Sequence, residues 1–315
     1  MVMERTRRNL IKGFVFIGAF LWLLPVVANA DPHKLTCGKE KTIGEALHEL
    51  KPGDTLVVSG TCNENLVIPE EVRRITLDGQ GTATIDGPDA ALNTVLVRGT
   101  GITIRRFQVT GGRSGIQVEE GGTAQIDSNI IRNTGRHGIS VNRHSSAEIV
   151  NNTIQNNPGN GIFVSNHSHA RIGFEGPPPG RILKPNVIEN NGEQGIFVGR
   201  SSYGKIIGNV IRNNTGSTLS GGIFIGIVSH ADINGNTING NGGDGIRVQE
   251  NSGANIGTDS TGATATVDDD TNTGNNAGFG IKCRVDGYAS GNIGSLTGTL
   301  GAQSFSQGCF DNVSL

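Results

Sequence analysis

Tryptophan, tyrosine and methionine are nearly missing from this chain of 315 residues, which holds one Trp, two Tyr and two Met. The Trp lies at position 22, so everything after residue 30 builds its core without indole. Broad aromatic faces, which sugar-binding surfaces favour, are therefore restricted to Tyr203, Tyr288 and the phenylalanines. Charge of one sign is also lacking: 26 Lys and Arg stand against 28 Asp and Glu, with no basic run. That balance argues against a nucleic-acid partner. Long apolar runs are absent beyond residues 13–27, so no membrane span is expected in the rest of the chain. Cysteine is limited to Cys37 and Cys62 near one end and Cys283 and Cys309 near the other. No C-x-x-C spacing is present, which leaves a tight thiol–metal site without ligands. No segment of the regular part has the 3.6-residue apolar period of a helix.

Glycine is abundant, with 49 residues, and it is ordered. Gly-Ile pairs begin at Gly115, Gly138, Gly161, Gly195, Gly222, Gly245 and Gly280. The shortest interval is about one 23-residue unit, and longer intervals read as that unit carrying extra loop; such self-similarity marks a stacked solenoid. Each unit reads G-I-x-V, a polar turn, A-x-I, then N-x-I-x-N-N, as in Gly138–Val141, Ala147–Ile149 and Asn152–Asn157. These are three short strands with period-two alternation. The fold class expected is all-β: a parallel β-helix with three short strands per coil. Ile116, Ile139, Ile162, Ile196, Ile223 and Ile246 should form one inner file, and Ile126, Ile149, Ile172, Ile206, Ile233 and Ile256 another. Asn129, Asn152, Asn186, Asn209 and Asn236 share a corner; an internal amide ladder is the reading preferred over a row of ligand contacts, since buried polar groups need partners.

Taken in order, residues 1–30 read as an export signal. Arg5, Arg7, Arg8 and Lys12 precede the apolar run, and Ala28-Asn29-Ala30 is a small-x-small cleavage site. Thr6–Lys12 is similar to a twin-arginine start, but the strongly apolar core favours an ordinary secretory signal with a basic start. The location expected is periplasmic or secreted. Removing this segment takes four basic side chains and one acidic one from the totals of 26 and 28, leaving a net charge of −5. An acidic polymer would then need a local basic patch. Residues 31–113 should hold the N-terminal cap and first coils, with strands at Thr55–Ser59, Asn65–Ile68, Arg74–Leu77, Thr82–Ile85, Thr94–Val97 and Ile102–Ile104. Thr42-Ile-Gly-Glu45 is a capping box ahead of a short amphipathic helix that plugs the open end. Residues 114–282 are the regular coils, with insertions at 173–185 and 257–274 that leave from one corner and frame a groove or are plain surface loops. Residues 283–315 form the C-terminal cap. An even cysteine count in an exported chain suggests disulfides; Cys37–Cys62 with Cys283–Cys309 is preferred among three pairings because each bridge staples one cap.

Candidate functional residues come from the outward positions. The residue between Ile and Val of each G-I-x-V points out: Gln117, Ser140, Phe163, Phe197, Phe224, Arg247 and Lys282. Three phenylalanines in a row suggest a strip on which sugar rings or a flat apolar partner stack, or a surface covered by a loop or tail. The following turn collects Arg143, His144, His167, His169, Arg200, Tyr203 and His230, read as sugar or anion contacts, a metal site, or solvated turn residues. No cofactor is expected; calcium at Asp268–Asp270 has only a run of carboxylates in its favour.

The G-I-x-V…A-x-I…N-x-I-x-N-N units, with the Gly53–Asn65 segment, resemble right-handed parallel β-helix repeats of the pectin lyase-like superfamily over most of residues 35–285. The resemblance implies fold, not activity: members include polysaccharide lyases, hydrolases, epimerases, accessory proteins and adhesins. The epimerase-like Tyr-Gly-x-Asp-Pro-His-Asp motif is absent from the strand positions held by Phe163, Phe197 and Phe224, and Asp31-Pro32-His33 echoes it outside any repeat. Polygalacturonase-like motifs are absent too, Arg136-His137-Gly138 being a partial echo. The reading is thus an exported β-helix that binds polysaccharide or a cell-surface partner through the Phe strip and His-rich turns, leaning away from catalysis. The alternatives are a lyase or epimerase, with Arg247, Lys282 or a turn histidine as base, and a structural or adhesive solenoid.

Overall fold

Each repeat closes one coil of a parallel β-solenoid of about nine turns. The computed structural model describes residues 32–39, 41–176, 181–216, 221–257, 272–291, 299 and 303–305. Three parallel sheets of eleven, ten and nine strands run the length of the solenoid. One coil shows the pattern: Ile162–Val164 joins the ten-stranded sheet, His169–Ile172 the eleven-stranded sheet, and Val187–Glu189 the nine-stranded sheet.

The inner files align as their spacing requires. Ile116, Ile139, Ile162, Ile196, Ile223, Ile246 and Ile281 are register partners in succession. Ile126, Ile149, Ile172, Ile206, Ile233 and Ile256 follow suit. All are 0% exposed, and burying each is worth roughly 1.5–3 kcal/mol. The Gly before each Ile is a packing requirement. A Cβ on Gly161 would lie 2.5 Å from Ile188 Cγ2 and 2.7 Å from the Gly195 carbonyl oxygen.

The corners are polar and bonded along the axis, Ser145 Oγ being the one member of these files without a partner among the described residues. Asn129, Asn152, Asn186, Asn209 and Asn236 are buried, and each Oδ1 after the first accepts from the amide and backbone N–H of the Asn one coil earlier. A second ladder, through Asn157, Asn191, Asn214, Asn241 and Asn276, does the same at the next corner. Its sequence signal is the last Asn of N-x-I-x-N-N. A third file, Ser145, Ser168, Ser202, Ser229 and Ser252, links backbone N–H to hydroxyl along the remaining corner.

The N-terminal end is closed by the helix Ile43–Leu47, whose Ile43, Ala46 and Leu47 are buried. The capping box forms: Thr42 Oγ1 accepts from the Glu45 N–H and the Glu45 carboxylate accepts from the Thr42 N–H. The early strands sit one or two residues from their expected bounds, at Leu66–Ile68, Thr76–Asp78 and Thr84–Gly87. Two more, His33–Thr36 and Thr61–Asn63, carry too few alternating apolar residues to be legible. Cys37 and Cys62 are disulfide-bonded, with Cα atoms 4.9 Å apart. Cys283 is also disulfide-bonded; Cys309 lies outside the described residues, as do the expected export signal, Asp268–Asp270 and the second insertion apart from residues 257 and 272–274. The described part of the first insertion, residues 173–176 and 181–185, does not stand away from the body. It forms an antiparallel pair, Phe174–Glu175 with Ile182–Leu183, and folds back onto the eleven-stranded sheet. Phe174 is buried between the Arg171 and Arg181 guanidiniums, each 5.0 Å from its ring centre. Glu175 accepts from Gln125 and pairs with Lys184.

Candidate functional site

Parallel pairing in register puts equivalent outward side chains one coil apart. On the ten-stranded sheet this stacks Phe163 on Phe197 at 4.8 Å and Phe197 on Phe224 at 5.1 Å, with rings within 15° of parallel. His137, at the preceding corner, begins the stack 4.6 Å from Phe163 and 2° from parallel. All three phenylalanines are half-buried. Phe197 and Phe224 lie down along the sheet because Gly199 and Gly226 follow two residues later; a Cβ on Gly199 would lie 2.4 Å from Phe197 Cε1.

This geometry corrects one expectation. Phe163 and Phe197 carry an aromatic ring on both faces, so those faces are not open to a sugar. The strip presents a ridge of ring edges, as stacking of identical residues at strand spacing dictates.

Arg247 and Lys282, next in the column, are engaged. Arg247 grips Asp244 through Nε at 2.7 Å and Nη2 at 2.6 Å, and Lys282 Nζ sits 5.3 Å from the Phe279 ring centre. A guanidinium clamped by a buried carboxylate is a poor proton acceptor, which weakens the reading of Arg247 as a base.

The turn residues separate into two groups. Arg143, His144 and His167 lie in the turn with positive φ, His144 stacking on His167 at 5.1 Å. Arg143 pairs with Glu119 and Glu120 at 3.2 Å. Arg200 is in the same turn series, with Nη1 3.5 Å from Ser165 Oγ. His169, Tyr203 and His230 instead open strands of the eleven-stranded sheet, where they form a looser ring ladder at 6.4 and 6.2 Å that Tyr288 extends to 6.3 Å from His230. They face a different side from the phenylalanines, because a turn of three or four residues separates the two sheets. Beside them a groove of about 730 Å³ runs over Thr123, Ser146, Glu148, His169, Arg171 and Tyr203. Burial raises the Glu148 pKa, with Glu175 adding to the rise against Arg171 and Lys184; Glu148 and Arg171 are 3.2 Å apart. These charges also anchor the inserted hairpin.

A second hollow, about 190 Å³, lies where the ridge begins. The small Ser140 in the outward column leaves room between Gln117 and Phe163. Arg113 and Arg136 rim one side, Arg143 and Arg200 the other, and His137 forms part of the wall. Glu119 is its single carboxylate and is nearly enclosed, accepting from Arg98 at 3.1 Å, Gln117 at 2.6 Å and Arg143 at 3.2 Å. Arg113 and Arg136 are exposed and their side chains have no partner among the described residues. His137 is buried, and its pKa is pushed down to about 3, by burial first and then by the charges of Arg136 and Arg113. The hollow continues into a shallow basin at Val67, Leu92 and Leu96. Reading the outward column alone misses Arg113, Arg136 and His137, which sit just before the Gly115-Ile116 and Gly138-Ile139 pairs; their signal is an Arg two residues ahead of the glycine in these two successive units. Among the described residues, no group of three or more His, Cys, Asp or Glu could hold a metal ion, and no helix is long and apolar enough to cross a membrane.

Comparison with known proteins adds the following. Residues 93–175 and 137–293 match the family described as the right handed beta helix region. No curated protein matches the sequence. Among solved structures, the A-module of a mannuronan C-5 epimerase from Azotobacter vinelandii is similar at 12% identity and TM-score 0.52, over 89% of this chain and 87% of that one. An alginate lyase from Paenibacillus sp. is similar at 15% identity and TM-score 0.51, over 87% and 99%. The enzymatically active domain of tailspike protein 2 of bacteriophage CBA120 is similar at 16% identity and TM-score 0.61, over 90% of this chain and 47% of that one. At these identities the likeness is one of fold.

Proposed function

The chain belongs to the right-handed β-helix family, and from that membership we propose that it binds a polysaccharide along the outward face of its ten-stranded sheet. The observation that carries this reading is continuity: the arginine-rimmed hollow ends at Phe163, whose ring begins the ridge that runs on through Phe197 and Phe224. A linear polymer suits a linear face. Ring edges and the apolar basin would pack against sugar C–H groups, and the arginines would fix acidic substituents. The hollow is the local basic patch that a mildly acidic chain needs in order to hold an acidic polymer. Similar structures named for a mannuronan epimerase and an alginate lyase support polysaccharide as the ligand class.

An exported location goes with this reading, since the Cys37–Cys62 bridge suits an oxidising compartment. His144, His167, His169, Tyr203 and His230 remain candidate contacts beyond the edge of the face.

The test is a glycan array on residues 31–315, with Phe197→Ala as the matched variant. At least one polysaccharide class should be retained, and more weakly by the variant. An array with no retained glycan, together with no rise in unsaturated-uronate absorbance, would leave the structural or adhesive solenoid as the surviving reading.

A further inference from the structure

We propose that the arginine-rimmed hollow is an oxyanion subsite in which His137 serves as a neutral hydrogen-bond donor, so that it takes a carboxylate or a sulfate ester carried by the bound glycan. This rests on the polysaccharide reading and narrows its ligand.

The first support is charge. Glu119 already accepts from Arg98, Gln117 and Arg143, so it does not compete for the cations that remain. Arg113 and Arg136, across the hollow from it, are left without a partner among the described residues. Guanidinium forks match carboxylate and sulfate oxygens in pairs and carry no acceptor of their own.

The second support is independent and concerns His137. Its Nδ1 accepts from the Asn160 backbone N–H at 3.0 Å, so in the neutral ring the proton sits on Nε2. That Nε2 is buried and has no hydrogen-bond partner among the described residues. An unmet buried donor costs about 1–3 kcal/mol, and such groups are uncommon in native proteins. The ring is held by Phe163 on one face. An anion drawn in by Arg113 and Arg136 brings the missing acceptor to this wall.

The charged groups around the ring are Arg113 and Arg136, with Arg143, Arg200 and Glu119 across the hollow and Glu193 bonded to Asn160. Burial first, and then the cations that dominate this set, keep the ring neutral through the physiological range. Affinity for a sulfated ligand should therefore be level from pH 8 to pH 5. Affinity for a uronate should fall only where the uronate itself takes up a proton.

The experiment uses the whole chain from residue 31 and two matched pairs of probes: hexagalacturonate with its methyl ester, and a dextran sulfate oligomer with the unsulfated oligomer. Binding is read by calorimetry, and His137 by ¹⁵N NMR of the wild type. At least one charged probe should bind ten-fold or more tighter than its neutral partner, and which pair responds identifies the oxyanion. The double variant Arg113→Ala/Arg136→Ala should erase that preference; both positions are exposed, so folding is retained. The His137 Nε2–H signal should be present at pH 6 and move only with the charged probe. Equal binding of charged and neutral members overturns the subsite while polysaccharide binding stands. If no oligomer binds but free galacturonate or sulfate moves the His137 signal, the subsite stands and the polysaccharide reading falls. A His137 ring doubly protonated at pH 6, or a signal that no probe moves, overturns the donor role.

Discussion

Asn186 shows how single residues hold this molecule. Its amide donates to the Ile149 carbonyl and to Asn209 Oδ1, and its Oδ1 accepts from the Asn152 backbone and side chain. Asn186→Ala leaves buried partners unmet on both sides and should cost about 2–4 kcal/mol, read as a lower denaturant midpoint at unchanged slope. His137 links stability to pH. Its folded pKa, about 3, lies below the ordinary value of 6.5. Between those values the unfolded chain binds a proton that the folded chain does not. Stability from this residue is present above pH 6.5 and is lost as pH falls toward 3, at roughly 1.4 kcal/mol per pH unit. Equilibrium unfolding at pH 7, 5.5 and 4.5 should show that slope, and His137→Gln should flatten it. Neither residue's role was equally legible. The Asn file repeats at the same slot in successive units, whereas His137 occurs once and gains its meaning from Phe163 in the next coil.

At the scale of elements, the inserted hairpin and the N-terminal bridge are the parts that the repeat does not dictate. Phe174 pins the hairpin, with Arg171 and Arg181 over its ring. Phe174→Ala should release Ile182–Leu183, read as faster hydrogen exchange there and new protease cleavage near the insertion, with the coils still protected. The Cys37–Cys62 bridge closes a loop of separation 25. Replacing both cysteines by Ser should cost roughly 2–5 kcal/mol, seen as a lower Tm. The insertion's position was legible from the lengthened repeat. Its docking was not, because Gln125, Glu148 and Glu175 meet only after three coils have stacked.

At the scale of the whole molecule, stability comes from each coil's contact with its neighbours, so coils are separable units. Deleting residues 139–161 removes one full period and joins Gly138 to Ile162, preserving the Gly-Ile corner. The product should remain a β-solenoid by circular dichroism and be shorter by about 4.8 Å in solution scattering. It loses Ser140, Asn142 and Arg143, and with them the hollow, while Phe163, Phe197 and Phe224 stay stacked. A charged glycan should therefore lose its advantage over its neutral counterpart in this variant.

What the amino-acid sequence determined by itself was everything that recurs. The 23-residue period, the inner isoleucines and the amide corner each follow from local rules that apply in every coil, so one unit predicts the next. The tertiary structure alone decided what occurs once or joins unlike residues. Stacking turned outward phenylalanine faces against each other and set Arg113 and Arg136 across a gap from Arg143 and Arg200. The reason is physical: a repeat specifies direction, inward or outward, through strand alternation, but distances between side chains of different coils exist only after the coils lie on one another.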